Sequence, residues 1–115
     1  MASATAVLEP DQIPQAPAIR QLSDHKLAVS GQVDASSVLP LRAEGERLIG
    51  ACQPEQNLCI DLAELATASS IVLSLLLCWQ RQATARKITL QYSSVGERLH
   101  ALASLSNLDK HLSGF

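Results

Sequence analysis

Apolar and polar residues follow two different periods along the chain after residue 17. Short runs at 18–22 and 26–30, separated by a Ser-Asp-His triplet that favours a turn, predict a β-hairpin. A brief apolar run at 58–62 predicts a buried strand, and the alternation of apolar and polar residues at 87–92 predicts another. The pattern therefore predicts four strands.

Three helices are predicted between and after these strands. The first ends at Gly50, the second covers 71–83, and the third carries apolar residues at helical spacing from Val95 to Leu105. The residues expected to cap them are Ser36 or Ser37, Ser69 or Ser70, and Ser93 or Ser94. Residues 63–68 are interpreted as a connection.

The resulting order is β-β-α-β-α-β-α, which predicts an α/β fold. Strands that alternate with helices favour a mainly parallel four-stranded sheet, with the N-terminal strand antiparallel and the helices packed on the sheet. Residues 1–17 contain three prolines and no apolar period, so they are predicted to form a flexible tail. Residues 18–115 are predicted to form a single domain.

Small and hydroxyl-bearing residues follow three of the predicted strands, at 31–37, 62–70 and 92–94. The carboxyl ends of parallel strands meet at one edge of a sheet, and ligands and partners gather there. The functional face is therefore expected at this edge.

Composition narrows the class of protein. The chain has 115 residues, of which 47% are hydrophobic and 17% charged, as expected of one folded domain. A net charge of −2 and 3% aromatic residues argue against nucleic-acid binding. The longest apolar run, at 71–79, is about half of the ~20 residues that span a bilayer, so no direct membrane insertion is expected. No signal peptide is recognised, and the three cysteines are interpreted as reduced thiols of a cytosolic protein.

Motifs for catalysis or cofactor binding are missing from the sequence. No glycine-rich phosphate loop or nucleophile elbow is found, and His25, His100 and His111 lack the spacing of metal ligands. Cys59 and Cys78 are predicted to be inert core residues, although a thiol-dependent enzyme acting through one of them is an alternative. We therefore expect no enzyme activity, no cofactor and no metal.

One motif resembles the STAS domains of anti-sigma factor antagonists and sulfate-transporter tails. In that family an Asp-Leu strand exit is followed by D-[ST]-x-G-L at the start of a helix. Aligned on Asp61-Leu62, the motif falls on Ser-Ser-Ile-Val-Leu at 69–73. Ser70 takes the place of the phosphoacceptor, whereas Ser69 and Val72 replace the family's Asp and Gly.

Three further stretches resemble the small STAS subunits of ABC-type phospholipid transporters in double-membraned bacteria. They are 27–34 with 39–41, 59–62, and 99–102 through 107–108, and the likeness covers about residues 18–112. This resemblance implies a non-catalytic cytoplasmic subunit, peripheral to the inner membrane, that binds the ATPase in a complex with a membrane permease. The complex would maintain the lipid asymmetry of the outer membrane.

The resemblance also implies a partner-binding surface centred on Ser70, which is the possible phosphoacceptor. Its other members are Ser69, Ile71, Leu73, Ser74, Ala66, Thr67, Asp34, Ala35 and Ser36. The alternative is a phosphorylation-switched antagonist that binds an anti-sigma kinase through the same serine. The missing motif Asp and Gly argue against this alternative.

Overall fold

The computed structural model describes residues 16–115, and these form the predicted order of elements. The strands are β1 (Ala18–Ser23), β2 (Lys26–Gly31), β3 (Asn57–Leu65) and β4 (Thr89–Ser93). The helices are α1 (Val38–Gly50), α2 (Ser70–Ala85) and α3 (Glu97–Leu105), followed by a short 3-10 turn at Asp109–His111. The order predicted from the apolar pattern is confirmed.

The sheet has the strand order β1-β2-β3-β4. β1 is antiparallel to β2, whereas β2, β3 and β4 are mutually parallel. This topology confirms the predicted α/β fold with a mixed, mainly parallel sheet. It also places the carboxyl ends of the three parallel strands at one edge.

One face of the sheet forms the core together with the helices. In register, Leu27 lies beside Ile60, which lies beside Tyr92, and all three side chains are buried. From α2 the core receives Val72, Leu73, Leu75, Leu76 and Trp79. On the opposite face, Asp61 is half-buried and Gln91 is exposed. Residues 16–115 therefore form a two-layer structure in which the second face of the sheet is polar and uncovered by any of these residues.

β3 continues beyond the predicted strand and reaches Leu65, so the prediction that 63–68 form a connection is wrong for its first three residues. The pairing of β2 with β3 shifts between Ala28 and Ser30, and Ser30 lies beside Glu64. The Asp61 carboxylate accepts a hydrogen bond from the Ala63 amide at 2.9 Å at this irregularity. A bulge of this kind interrupts the apolar alternation by which a strand is recognised in a sequence.

The predicted N-cap position of α1 is confirmed at Ser37, although its side chain makes no capping hydrogen bond. The predicted cap of the last helix differs in the structure. α3 begins at Glu97 after Gly96, not after Ser93 or Ser94. Ser94 has a φ of 58°, which turns the chain before the helix starts. Leu105, one of the apolar residues from which the last helix is predicted, is 83% exposed because it lies about 200° around the helix from the buried Ala103.

The start of the described chain lies against the end of β2. Gly31 has a φ of 88°, and a Cβ at this position would lie 2.6 Å from the Ala16 carbonyl oxygen. Ala16 and Pro17, assigned to the tail from sequence, thus contact the domain. Residues 1–15 of the predicted tail lie outside the described residues.

Tyr92→Phe is expected to lower the free energy of unfolding by about 0.5–1.5 kcal/mol, the usual net contribution of one hydrogen bond. The buried Tyr92 hydroxyl donates to the Leu76 carbonyl at 2.6 Å and ties β4 to α2. Burial raises the pKa of this phenol well above its usual value of 10.0. Denaturant unfolding measures the change, and a variant as stable as the wild type would show that this bond contributes nothing.

Candidate functional site

Three loops follow the parallel strands at the carboxyl edge of the sheet. They are loop 32–37 after β2, loop 66–69 after β3, and loop 94–96 after β4. Each leads directly into a helix, so backbone N–H groups at three helix starts lie toward this edge. This is the edge of the sheet at which the sequence predicts the functional face.

Two of these loops are joined by hydrogen bonds between residues distant in sequence. The Ala66 amide donates to the Gly31 carbonyl at 2.8 Å, and the buried Val33 amide donates to Thr67 Oγ1 at 2.9 Å. The predicted residues Asp34, Ala35 and Ser36 are thereby brought beside the predicted residues Ala66 and Thr67.

Asp34 organises its own loop. Its Oδ1 accepts hydrogen bonds from the amides of Ser36 (2.9 Å) and Ser37 (3.0 Å) and from their hydroxyls (2.6 and 3.1 Å). The Ser36 hydroxyl above all, then the Ser37 hydroxyl, holds the pKa of Asp34 below its ordinary value of 3.8. The carboxylate is exposed but already engaged with its neighbours, so it stabilises a turn.

The start of α2 presents hydroxyls to solvent. Ser69 is the N-cap, and its side chain accepts a hydrogen bond from the Val72 amide at 3.4 Å. Ser70 is exposed at the first helical position, and Ser74 is exposed one turn later. Leu73 is 1% exposed and belongs to the core, so its side chain cannot contact a partner. Ile71 is half-buried.

A cleft of about 380 Å³ lies next to this helix start. Its walls are residues 62–63 and 65–68 on one side and Ser94 with Gly96–Leu99 on the other. Glu97 and Arg98 are exposed there, although neither is among the site residues predicted from the sequence. The sequence feature that could have located the start of α3, and with it these two residues, is Gly96, which is the N-cap residue and makes no side-chain hydrogen bond.

The described residues offer little chemistry beyond hydrogen bonding. Within residues 16–115, no three His, Cys, Asp or Glu side chains come together as a metal site. Cys59 and Cys78 are half-buried, and Cys59 lies on the polar face of the sheet with its Sγ 3.3 Å from Ser93 Oγ. Its predicted place in the core is therefore wrong. Burial raises the pKa of the Cys52 thiol, the opposite of activation.

Acidification is expected to loosen loop 32–37. A carboxyl whose pKa is lower in the folded chain contributes stability above its unfolded-state pKa, and this is lost as the pH falls through the folded-state pKa. For Asp34 that loss therefore begins below about pH 4. The Ser36 and Ser37 amide resonances should shift in this range in an NMR titration. Asp34→Asn should abolish the shift, and a wild type without it would contradict the expectation.

No helix within residues 16–115 has the length and hydropathy needed to cross a membrane.

The mixed four-stranded sheet and the order of its helices match the fold of STAS domains. The family model described as "Mlab, STAS domain" matches residues 19–114. The chain belongs to this family of MlaB-type STAS domains. No curated protein sequence matches it significantly.

Solved structures share the fold. A chain of the Acinetobacter MlaFEDB complex in an ATP-bound conformation is 27% identical, with a TM-score of 0.69 over 78% of this chain and 93% of that one. An anti-sigma factor antagonist from Mycobacterium paratuberculosis is 17% identical, with a TM-score of 0.70 over 94% and 90%. The phosphorylated Bacillus cell fate determinant SpoIIAA is 16% identical, with a TM-score of 0.63 over 87% and 91%.

Proposed function

We propose that this chain is the non-catalytic STAS subunit of an ABC-type phospholipid transport complex, in which it binds and supports the ATPase subunit. The match to the MlaB-type family over residues 19–114 carries the proposal. The likeness to a chain of the MlaFEDB complex supports it, because 93% of that chain is covered. The complex would contain a membrane permease and maintain outer-membrane lipid asymmetry, with this subunit in the cytoplasm, peripheral to the inner membrane through its partners.

The proposed ATPase-binding surface is the exposed part of the carboxyl edge, centred on Ser70. Its other members are Ser69, Ile71, Ser74, Ala66, Asp34, Ala35 and Ser36. The predicted residue Thr67 lies half-buried beside them, with its hydroxyl accepting a hydrogen bond from the Val33 amide. Except for Ile71 these side chains are small, and the Asp34 carboxylate is held by its own loop. A surface of this kind allows the backbone of a partner to approach closely. Leu73, 1% exposed, belongs to the core and is left out of this surface.

The second candidate is a phosphorylation-switched anti-sigma factor antagonist that binds an anti-sigma kinase. The exposed hydroxyl of Ser70 at the helix start favours it, because a phosphate there would meet unpaired N–H groups. Ser69 and Val72 replace the Asp and Gly of the antagonist motif, and this weighs against it.

Co-expression separates the two candidates. The chain is produced with the lipid-transport ABC ATPase of the same genome, and in parallel with an anti-sigma kinase of that genome. Size-exclusion chromatography should show a complex with the ATPase and none with the kinase. A complex with the kinase alone would overturn the proposal in favour of the antagonist.

A further inference from the structure

A single side-chain hydrogen bond joins two loops of the proposed surface. The Val33 amide donates to Thr67 Oγ1 at 2.9 Å, although the residues are 34 positions apart. The pairing of β2 with β3 ends at Gly31 and Leu65, so this hydrogen bond lies just beyond the last residue pair of the sheet. Val33 is 3% exposed, which shields its amide from solvent.

The hydrogen bonds that Asp34 makes in the turn after Val33 stay within loop 32–37. The hydrogen bonds to Asp34 Oδ1 come from Ser36 and Ser37, within the same loop. Such bonds fix the shape of the turn but not its position relative to α2. The bond from Val33 to Thr67 crosses between the loops and can fix that position.

We propose that Thr67 is a positioning residue. Its hydroxyl fixes the position of loop 32–37 relative to the start of α2, so that this loop and Ser70 contact the partner together. This inference rests on the proposed function and assigns Thr67 a supporting role, since its Oγ1 accepts from the buried Val33 amide. Without this acceptor, the loop would populate its binding-competent position less. The affinity falls by the same factor as that population.

Three variants test the assignment. Thr67→Val keeps the shape of the side chain but removes the acceptor, whereas Thr67→Ser keeps the hydroxyl. Ile88→Val removes a methylene from the core at the start of β4, away from the carboxyl edge, and serves as a control with a comparable loss of stability. Thr67→Ala replaces Thr67→Val if the latter does not fold.

Two measurements are made on the full chain. Hydrogen exchange of the Val33 amide in the free protein should accelerate about tenfold in Thr67→Val, as for the loss of one hydrogen bond. Titration against the lipid-transport ABC ATPase of the same genome should show an affinity about tenfold lower for this variant. Thr67→Ser and Ile88→Val should bind as the wild type does.

The outcomes are distinct. Thr67→Val with faster Val33 exchange but wild-type affinity would overturn the positioning role, as would Thr67→Ser behaving like Thr67→Val. Unchanged Val33 exchange in Thr67→Val would remove the hydrogen bond on which the inference rests. A wild type that does not bind the ATPase would overturn the proposed function, and the inference with it, whatever the exchange data show.

Discussion

Trp79→Ala is expected to lower the free energy of unfolding by about 3–5 kcal/mol, the usual cost of deleting a large buried aromatic side chain. Trp79 is 0% exposed in the core between α1 and α2, and its Nε1 donates to the Arg42 carbonyl at 3.2 Å. Both the packing and this hydrogen bond are lost. Because a small domain is stabilised by about 5–15 kcal/mol in total, this loss is a large share of the stability of the fold. Urea denaturation measures the loss, and a change below about 1 kcal/mol would contradict it.

Gly45 on α1 provides a matched control, because a Cβ there would overlap the indole ring of Trp79. In the wild type, Gly45→Ala should destabilise the fold by about 1–3 kcal/mol through overpacking. In the Trp79→Ala background the methyl group has room, and alanine favours a helix over glycine by about 1 kcal/mol. The sign of the effect should therefore reverse. The same sign in both backgrounds would show that the two residues do not contact each other.

Ser70→Glu is expected to weaken binding to the ABC ATPase subunit at least about hundredfold, which corresponds to roughly 2.8 kcal/mol. Ser70 is exposed at the start of α2, where the helix dipole tolerates an acidic group, so the isolated domain should change by no more than about 1 kcal/mol. Buried in an interface without a partner, the carboxylate costs several kcal/mol. Calorimetric titration with parallel unfolding curves measures both quantities.

Two variants accompany Ser70→Glu. Ser70→Ala removes the hydroxyl without adding charge and should have a milder effect on binding. Ser104→Glu places the same carboxylate on an exposed serine near the end of α3 and should leave the affinity unchanged. Equal affinity for the wild type and Ser70→Glu would remove the start of α2 from the interface.

The order of elements could be predicted because strands and helices leave different periods in the sequence. The strand leading to Tyr92 and the last helix show such periods, whereas the hairpin is predicted from its turn triplet and the second helix from its long apolar run. The extension of β3 to Leu65 lacks one, since the bulge after Asp61 breaks the alternation. Leu105 falls outside the helical period, since it lies about 200° around α3 from the buried Ala103, and it is exposed.

The candidate site was predicted only in part, for a related reason. The strand ends could be located, and with them Ser70 and Asp34, but a contact between distant residues leaves no local pattern. The bond from Val33 to Thr67 spans 34 positions, and it engages the hydroxyl of Thr67 within the protein. Whether Leu73 faces the core or a partner depends on the rotation of α2, which only the packed structure defines.

Co-purification from the native cell tests the proposed function most directly. The chain is tagged at its chromosomal locus, isolated under mild detergent, and its partners are identified by mass spectrometry, with Ser70→Glu as the control. We predict an ABC ATPase together with its membrane permease, both depleted in Ser70→Glu. Recovery of an anti-sigma kinase without any ABC transporter subunit would contradict the proposal.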